Sequence, residues 1–210
     1  MNIHTIYRKL STRFRRHRLE WFRRLFAPTA QTTILDVGGY PWNWDDTGMP
    51  GRFTILNPDV PYNPADYQGR YEIVQGDGTR LPFADKSFDI VFSNSVIEHL
   101  GSYKQQRRFA SEARRVGRGL WVQTPARVFL MEPHLIAPFI HWLPRRAQRR
   151  LIRCGTVWGW LTKPSPQQIV AFLDEVRLLN HREMGELFPG CEIICERLLG
   201  WTKSYVAVLR

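Results

Sequence analysis

The sequence predicts an α/β protein in which a mostly parallel sheet carries helices on both faces. Two apolar runs, Tyr71–Gln75 and residues 88–93, are rich in β-branched and aromatic residues and too short for globular helices. Small polar residues follow each of them, and Gly38-Gly39 follows a third apolar run at residues 32–37. Because ligands bind beyond the carboxyl ends of parallel strands, these polar tips indicate the rim of a binding site.

Length and composition indicate one domain with a strong positive charge. The chain has 210 residues, 43% of them hydrophobic, and a net charge of +11, which favours a nucleic acid, anionic lipid or phosphorylated substrate as partner. Its three cysteines lack Cys-x-x-Cys spacing, as is typical of reduced thiols in an intracellular protein. No apolar run has the roughly 18–20 residues of a membrane span, and no signal peptide is evident. We therefore expect a cytoplasmic protein.

A basic amphipathic helix is predicted for residues 1–28, ahead of a domain at residues 29–210. Apolar side chains recur at helical spacing, while eight basic residues and the single acid Glu20 occupy the remaining arc. Such a helix can lie on an anionic membrane, which would place the protein peripherally at the inner membrane surface. Alternatively, it packs on the domain and leaves its basic face in solvent.

The other elements follow in order along the chain. Residues 52–56 and 119–123 are predicted strands, and a helix is expected to begin near Ser95. Polar residues dominate a further surface helix at Tyr103–Val116. The remaining predicted elements are a helix at 165–179, a helix with Asn180 as N-cap and Glu183 as its capping-box acid, and strands at 191–197 and 204–210.

The segment at residues 71–100 carries a specific order of motifs. They are Gly76-Asp77, Leu81-Pro82-Phe83, Ser87-Phe88-Asp89 and Glu98-His99. In this order the segment resembles the class I S-adenosylmethionine-dependent methyltransferases, in particular the type 11 group. The resemblance implies a three-layer Rossmann-like sandwich with a mostly parallel seven-stranded sheet and an antiparallel last strand. It also implies methyl transfer with S-adenosyl-L-methionine as cofactor.

The resemblance further implies which residues bind the cofactor. Asp36 would fix the glycine loop and help receive the cofactor's ammonium, and Asp77 would accept a hydrogen bond from the adenine amino group. Asn57 can bond the ribose hydroxyls, or it only opens the proline turn that follows. The predicted cofactor-binding residues are Asp36, Gly38, Gly39, Asn57, Asp77, Gly78, Ser93 and Asn94.

The chain departs from the family pattern at Tyr40, where glycine is usual. We therefore expect a reshaped loop in which Pro41 opens a short helix. Its two indoles, Trp42 and Trp44, should lie near the carboxylate end of the cofactor or cover it.

Two histidines are candidate catalytic residues, because methylation of a hydroxyl or amine needs a base. They are His134 and His99, although His99 can instead anchor the helix in which it lies. In some ubiquinone-pathway relatives a Glu-His pair and an upstream acid hold a divalent cation. Here Ser95 occupies the upstream position, so the sequence predicts no metal site.

Residues 126–170 are predicted to form a substrate-side insertion or lid. An apolar stretch precedes a cluster of arginines, a combination that suits a lipid-linked or phosphorylated acceptor, or RNA, or a plain lid with a solvated face. We expect a methyltransferase acting on a small or lipid- or sugar-linked acceptor, with an anionic membrane surface as a further partner. The alternatives are an RNA methyltransferase, for which no RNA-binding motif is present, a cofactor-binding protein without catalysis, and a membrane-bound scaffold that leaves the pocket unused.

Overall fold

The computed structural model describes residues 3–67 and 69–210, with side chains described from Phe14 onward. The strands are β1 (Thr33–Val37), β2 (Arg52–Asn57), β3 (Tyr71–Gln75), β4 (Phe88–Asn94), β5 (Gly117–Pro125), β6 (Met131–Glu132), β7 (Ala137–Pro138), β8 (Glu192–Leu198) and β9 (Trp201–Leu209). The α-helices are α1 (Ile3–Phe26), α2 (Tyr103–Val116), α3 (Arg145–Gly155), α4 (Val157–Thr162), α5 (Pro166–Glu175) and α6 (His181–Leu187).

One seven-stranded sheet organises the molecule, in the order β3-β2-β1-β4-β5-β9-β8. Strands β1 to β5 pair in parallel, whereas β9 runs antiparallel to both β5 and β8. The predicted fold class is therefore confirmed, including the antiparallel last strand. The strand order reverses beside β1, so the carboxyl ends of β1 and β4 border the crevice in which such sheets bind ligands.

Helices cover both faces of this sheet. Helices α2 and α6 pack over one face through residues such as Phe109 and Met184. Helix α1 packs over the other face, where the fully buried ring of Phe22 meets Phe92 and Trp121 at centroid distances of 5.2 and 5.8 Å. The described half of the basic segment is thus part of the fold; the side chains of residues 1–13 lie outside the described residues.

A buried ion pair links α1 to β8, the strand at one edge of the sheet. Arg18 Nη1 lies 3.1 Å from Glu196 Oε2, and both side chains are almost fully buried. Removing either partner would leave an uncompensated buried charge, which is strongly unfavourable. The basic arc of α1 is therefore only partly exposed to solvent.

The lid, residues 126–170, has a small hydrophobic core of its own. Leu135, Ile140 and Ile152 are buried together with Ile169 at the start of α5. The helices have local start signals, since Thr156 caps α4 and Ser165 forms a capping box with Gln168. The lid is therefore a folded substructure with its own core, beside the sheet.

Two local predictions are confirmed, and two helix predictions are wrong. Helix α5 ends at Glu175, whereas the prediction extended it to residue 179. Pro41 opens a 3₁₀ helix at Pro41–Asn43, and Asn180 forms the expected capping box with Glu183. The predicted helix from Ser95 is instead a single 3₁₀ turn at Ile97–Leu100. Gly101 interrupts it with a φ of 67°, where a side chain would collide with the backbone of Asp174, and α2 begins only after this break.

Candidate functional site

A cavity of about 670 Å³ opens at the carboxyl ends of β1, β4 and β5. Gly38, Asn94 and Gln123 form its floor at the strand tips. The lid supplies an apolar wall, and α1 and β9 supply a basic one. Further lining residues are Phe129, Met131, Ile136, Arg15, Arg18 and Lys203. The volume lies within the range of sites for small molecules and cofactors.

A second chamber of about 40 Å³ adjoins this cavity and shares Arg15, Asn43 and Asn94 with it. Asp36 lies in its wall and is 1% exposed. One carboxylate oxygen accepts a 2.7 Å hydrogen bond from Trp44 Nε1, while the other has no partner among the described residues. Burial raises the pKa of Asp36 to about 7, against the opposing effects of the Trp44 hydrogen bond and the Arg15 charge.

The loop after β1 must contain glycine because its backbone lies very close to the carboxylate of Asp36. A Cβ on Gly39 would lie 1.7 Å from an oxygen of Asp36, so only glycine fits. Gly38 has a φ of 79°, and its N–H donates to the carbonyl of Leu56 at 2.7 Å. The two glycines therefore let the loop lie directly over the acid.

Some predicted cofactor residues hold this loop without lining the cavity. Asn57 Nδ2 donates to the Gly39 carbonyl at 3.1 Å, and its Oδ1 accepts weakly from the N–H of Asp59. Ser93 Oγ donates to the carbonyl of Val37 at 2.9 Å. Both side chains are buried, so in this structure they stabilise the strand tips.

The third strand tip lies apart from the cavity. Asp77 is exposed and accepts hydrogen bonds from the backbone and hydroxyl of Thr79 at 2.8 and 2.9 Å. A Cβ on Gly78 would approach Val37 to 2.9 Å, so this glycine serves close packing. Of the predicted cofactor residues, Gly38 and Asn94 line the cavity, and Asp36, Gly39 and Asn94 line the chamber. Cofactor binding stays a prediction for all eight residues.

Tyr40 occupies the position where glycine is usual, and other aromatic residues pack around it. Tyr40 stacks on Trp42 at 4.5 Å and 8°, and Tyr62 packs edge-on against both rings. Trp42 lines the cavity and is half exposed, whereas Trp44 lies in the core behind Asp36. The loop is reshaped as expected, with Trp42 lining the cavity and Trp44 lining the chamber.

The structure brings the two candidate catalytic histidines together; neither is among the residues that line the cavity, although Pro133 beside His134 is. The His99 and His134 rings lie 4.8 Å apart, and each Nδ1 lies within hydrogen-bond distance of a carboxylate, from Glu175 and Glu132 respectively. Burial lowers the pKa of His134, but the hydrogen bond and charge of Glu132 outweigh it and raise that pKa. A role as general base stays a prediction for both histidines.

Sequence reasoning missed the basic wall of the cavity. Arg15 and Lys203 reach it from α1 and β9, which lie far apart in the chain. Lys203 also lies 3.4 Å from Glu196. The sequence shows these residues as basic but carries no signal of their position, because the position depends on how α1 docks on the sheet.

Known proteins share the motif-bearing part of the chain. Residues 57–119 match the family model described as a methyltransferase domain. A probable S-adenosylmethionine-dependent methyltransferase of Mycobacterium tuberculosis is 34% identical over 122 residues, covering 55% of this chain and 43% of that protein. An uncharacterized methyltransferase of Mycolicibacterium gilvum is 33% identical over 106 residues, covering 47% and 40%. The matched region thus spans about two fifths of these relatives' length.

The fold has counterparts over almost its whole length. The crystal structure of an S-adenosylmethionine-dependent methyltransferase from Aquifex aeolicus has a TM-score of 0.52 and 14% identity, covering 90% of this chain and 87% of that one. Residues 57–119 thus match the type 11 methyltransferase domain, and the fold of the chain is similar to that of class I S-adenosylmethionine-dependent methyltransferases. The cofactor that this family implies is S-adenosyl-L-methionine.

Proposed function

We propose that this chain transfers a methyl group from S-adenosyl-L-methionine to an acceptor bound in the cavity. The observation that carries the proposal is the buried carboxyl of Asp36, which has an unpartnered oxygen at the chamber next to the cavity. A buried acid in this state is best satisfied by a cation. The cofactor's ammonium is such a cation, so the residues present fit its methionine part.

Three parts of the chain would hold that end of the cofactor. Asp36 would pair with the ammonium, and the backbone of Gly38 would allow close approach. Arg15, whose Nη1 donates to Asn43 Oδ1 at 2.6 Å, keeps further N–H groups for the carboxylate. The sulfonium group makes the methyl electrophilic, which leaves the protein mainly to align the acceptor and exclude water. Phe129, Met131 and Ile136 of the lid would exclude that water.

The surface of the lid supports a lipid-linked acceptor. Between residues 133 and 173 the sequence has six basic residues and no acidic one. The same region exposes large apolar side chains, namely Phe139, Trp142, Leu143, Leu151, Trp160 and Leu161. Apolar and cationic groups together suit a bilayer with anionic headgroups. An acceptor held there would reach the apolar wall of the cavity, while small or sugar-linked acceptors would not need this surface.

The proposal places the protein on the cytoplasmic side of a membrane, bound at its surface. Among the residues that the structure describes, no helix is long and apolar enough to cross a bilayer. The basic wall formed by Arg18 and Lys203 would also suit a phosphate near the methylated group.

Methyl transfer can be tested with cofactor carrying a radioactive methyl group. The protein is incubated with a membrane lipid extract, with an aqueous metabolite extract and with total RNA, and label is measured in each. We expect label in the lipid fraction with wild type and little with Asp36→Asn. Label only in the aqueous fraction or in RNA would overturn the lipid-linked acceptor, and no label in any fraction would overturn methyl transfer.

A further inference from the structure

A cluster of potential metal ligands lies where the lid meets the sheet. Glu98 and His99 belong to the 3₁₀ turn after β4, and His134 lies in the lid between β6 and β7. One ligand atom from each of the three residues lies within 4.8 Å of the others. None of the three residues is among those that line the cavity or its chamber, although Pro133, which precedes His134, lines the cavity.

Carboxylates orient both imidazoles in the way that metal-binding histidines are usually oriented. His99 Nδ1 lies 3.0 Å from Glu175 Oε1, and His134 Nδ1 lies 2.7 Å from Glu132 Oε1. An N–H donated from Nδ1 to each carboxylate leaves the opposite nitrogen, Nε2, as a free lone pair. Glu132 is itself held by the backbone N–H of Leu135, so the orientation of His134 is well supported.

Glu98 provides an independent indication of a cation site. Its side chain is fully buried; Oε2 accepts a 2.9 Å hydrogen bond from Thr124 Oγ1. The other oxygen, Oε1, has no hydrogen-bond partner among the described residues. A buried carboxylate oxygen without a partner is costly, and buried charges in proteins are normally paired or coordinate metals.

We propose that Glu98, His99 and His134 bind a divalent transition-metal ion that fastens the lid to the sheet. Two imidazoles and one carboxylate suit Zn²⁺ and its first-row neighbours, whereas Mg²⁺ and Ca²⁺ prefer oxygen ligands. The sequence prediction of no metal site counted only Glu98 and His99; the third ligand comes from the lid. With three protein ligands, one coordination position stays open to water.

The spacing allows coordination after a small adjustment. Ligands of a tetrahedral ion at about 2.0–2.1 Å lie about 3.3 Å apart, so the widest pair, at up to 4.8 Å, would close by about 1.5 Å. His99 can make this movement, because 36% of its side chain is exposed. The same exposure gives the ion a path from solvent.

Titration of chelator-treated protein with Zn²⁺ tests the site. We expect one tightly bound ion in calorimetry, a higher melting temperature on saturation, and slower protease cleavage within residues 126–170, because ligand binding stabilises the folded state. Excess Mg²⁺ should not displace the ion. Glu98→Gln and His99→Ala should each weaken Zn²⁺ binding at least tenfold, and His99→Ala keeps the buried core intact if Glu98→Gln does not fold.

The matched control is His17→Ala, which removes an exposed imidazole on α1. It should bind Zn²⁺ like wild type. The proposal is overturned if wild type binds no ion, if His99→Ala binds as tightly as wild type, or if His17→Ala weakens binding equally. A bound ion that leaves lid cleavage unchanged would overturn the fastening role. None of these readouts depends on methyl transfer, so they are distinct from tests of the proposed function.

Discussion

The surroundings of Asp36 and the surface of the lid contain the same type of side chain in opposite environments. On the cofactor side, Trp44 is 3% exposed, and its Nε1 donates to the buried Asp36. On the lid, Trp160 is 67% exposed and lies in a segment rich in arginine. Tryptophan is therefore a buried hydrogen-bonding residue beside Asp36 and an exposed surface residue on the lid. The difference shows that the surroundings of Asp36 are fixed within the fold, whereas the lid exposes aromatic side chains at its surface.

The largest expected effect contrasts one buried and one exposed aromatic residue. Phe22→Ala should destabilise the protein by about 3–5 kcal/mol, because it leaves a cavity between α1 and the sheet. Trp160→Ala should change stability by less than about 0.5 kcal/mol. Urea unfolding monitored by circular dichroism measures both. Equal losses in the two variants would mean that the lid surface is packed as tightly as the sheet core.

The second prediction concerns the pH dependence of stability on the cofactor side. Folding raises the pKa of Asp36 from 3.8 to about 7, so between these values the folded protein holds a proton that the unfolded chain releases. The contribution of Asp36 to the free energy of unfolding therefore falls as pH rises through this window, by up to about 4 kcal/mol.

The variant Asp36→Asn isolates this contribution, because its amide does not titrate. Between about pH 4 and pH 7 without cofactor, wild type should lose stability relative to the variant in urea unfolding. Parallel pH dependences in the two proteins would show that the carboxyl of Asp36 is solvated, which would remove the main argument for a cation at this position.

The smallest expected effect concerns the basic surface of the lid. Arg149→Ala with Arg150→Ala should weaken binding to anionic liposomes by about 2 kcal/mol, because each cation near such a surface contributes about 1 kcal/mol. Sedimentation at low and high salt measures this binding, which should decline as salt rises. Affinity for the cofactor should stay unchanged.

The control for this double variant is Arg107→Ala with Arg108→Ala, which removes two exposed arginines on α2. This double variant has the same loss of charge but lies outside the lid. It should bind anionic liposomes like wild type. If both pairs weaken binding equally, only net charge matters; if neutral liposomes bind as well as anionic ones, the arginines do not recognise the membrane.

The sequence predicts the fold and the position of the glycine turn after β1 well, because both depend on local patterns. Strand tips such as Asp36-Val37-Gly38 and caps such as Asn180 with Glu183 are encoded within a few residues. It does not reveal that Arg15 reaches the cavity or that His134 lies beside His99, since these contacts depend on how α1 and the lid dock on the sheet. Asn57 illustrates the limit, because its position at a strand tip is predicted but its bond to the Gly39 carbonyl is not.

Calorimetric titration with S-adenosyl-L-methionine tests the central claim most directly. Wild type should bind one equivalent with a dissociation constant of about micromolar order. Asp36→Asn should bind about 10–100-fold more weakly, a loss of roughly 1–3 kcal/mol for an unpaired buried partner. The exposed acid Asp46, changed to Asn, should leave the affinity as in wild type. Absence of binding by wild type, or equal binding by wild type and Asp36→Asn, would contradict the account.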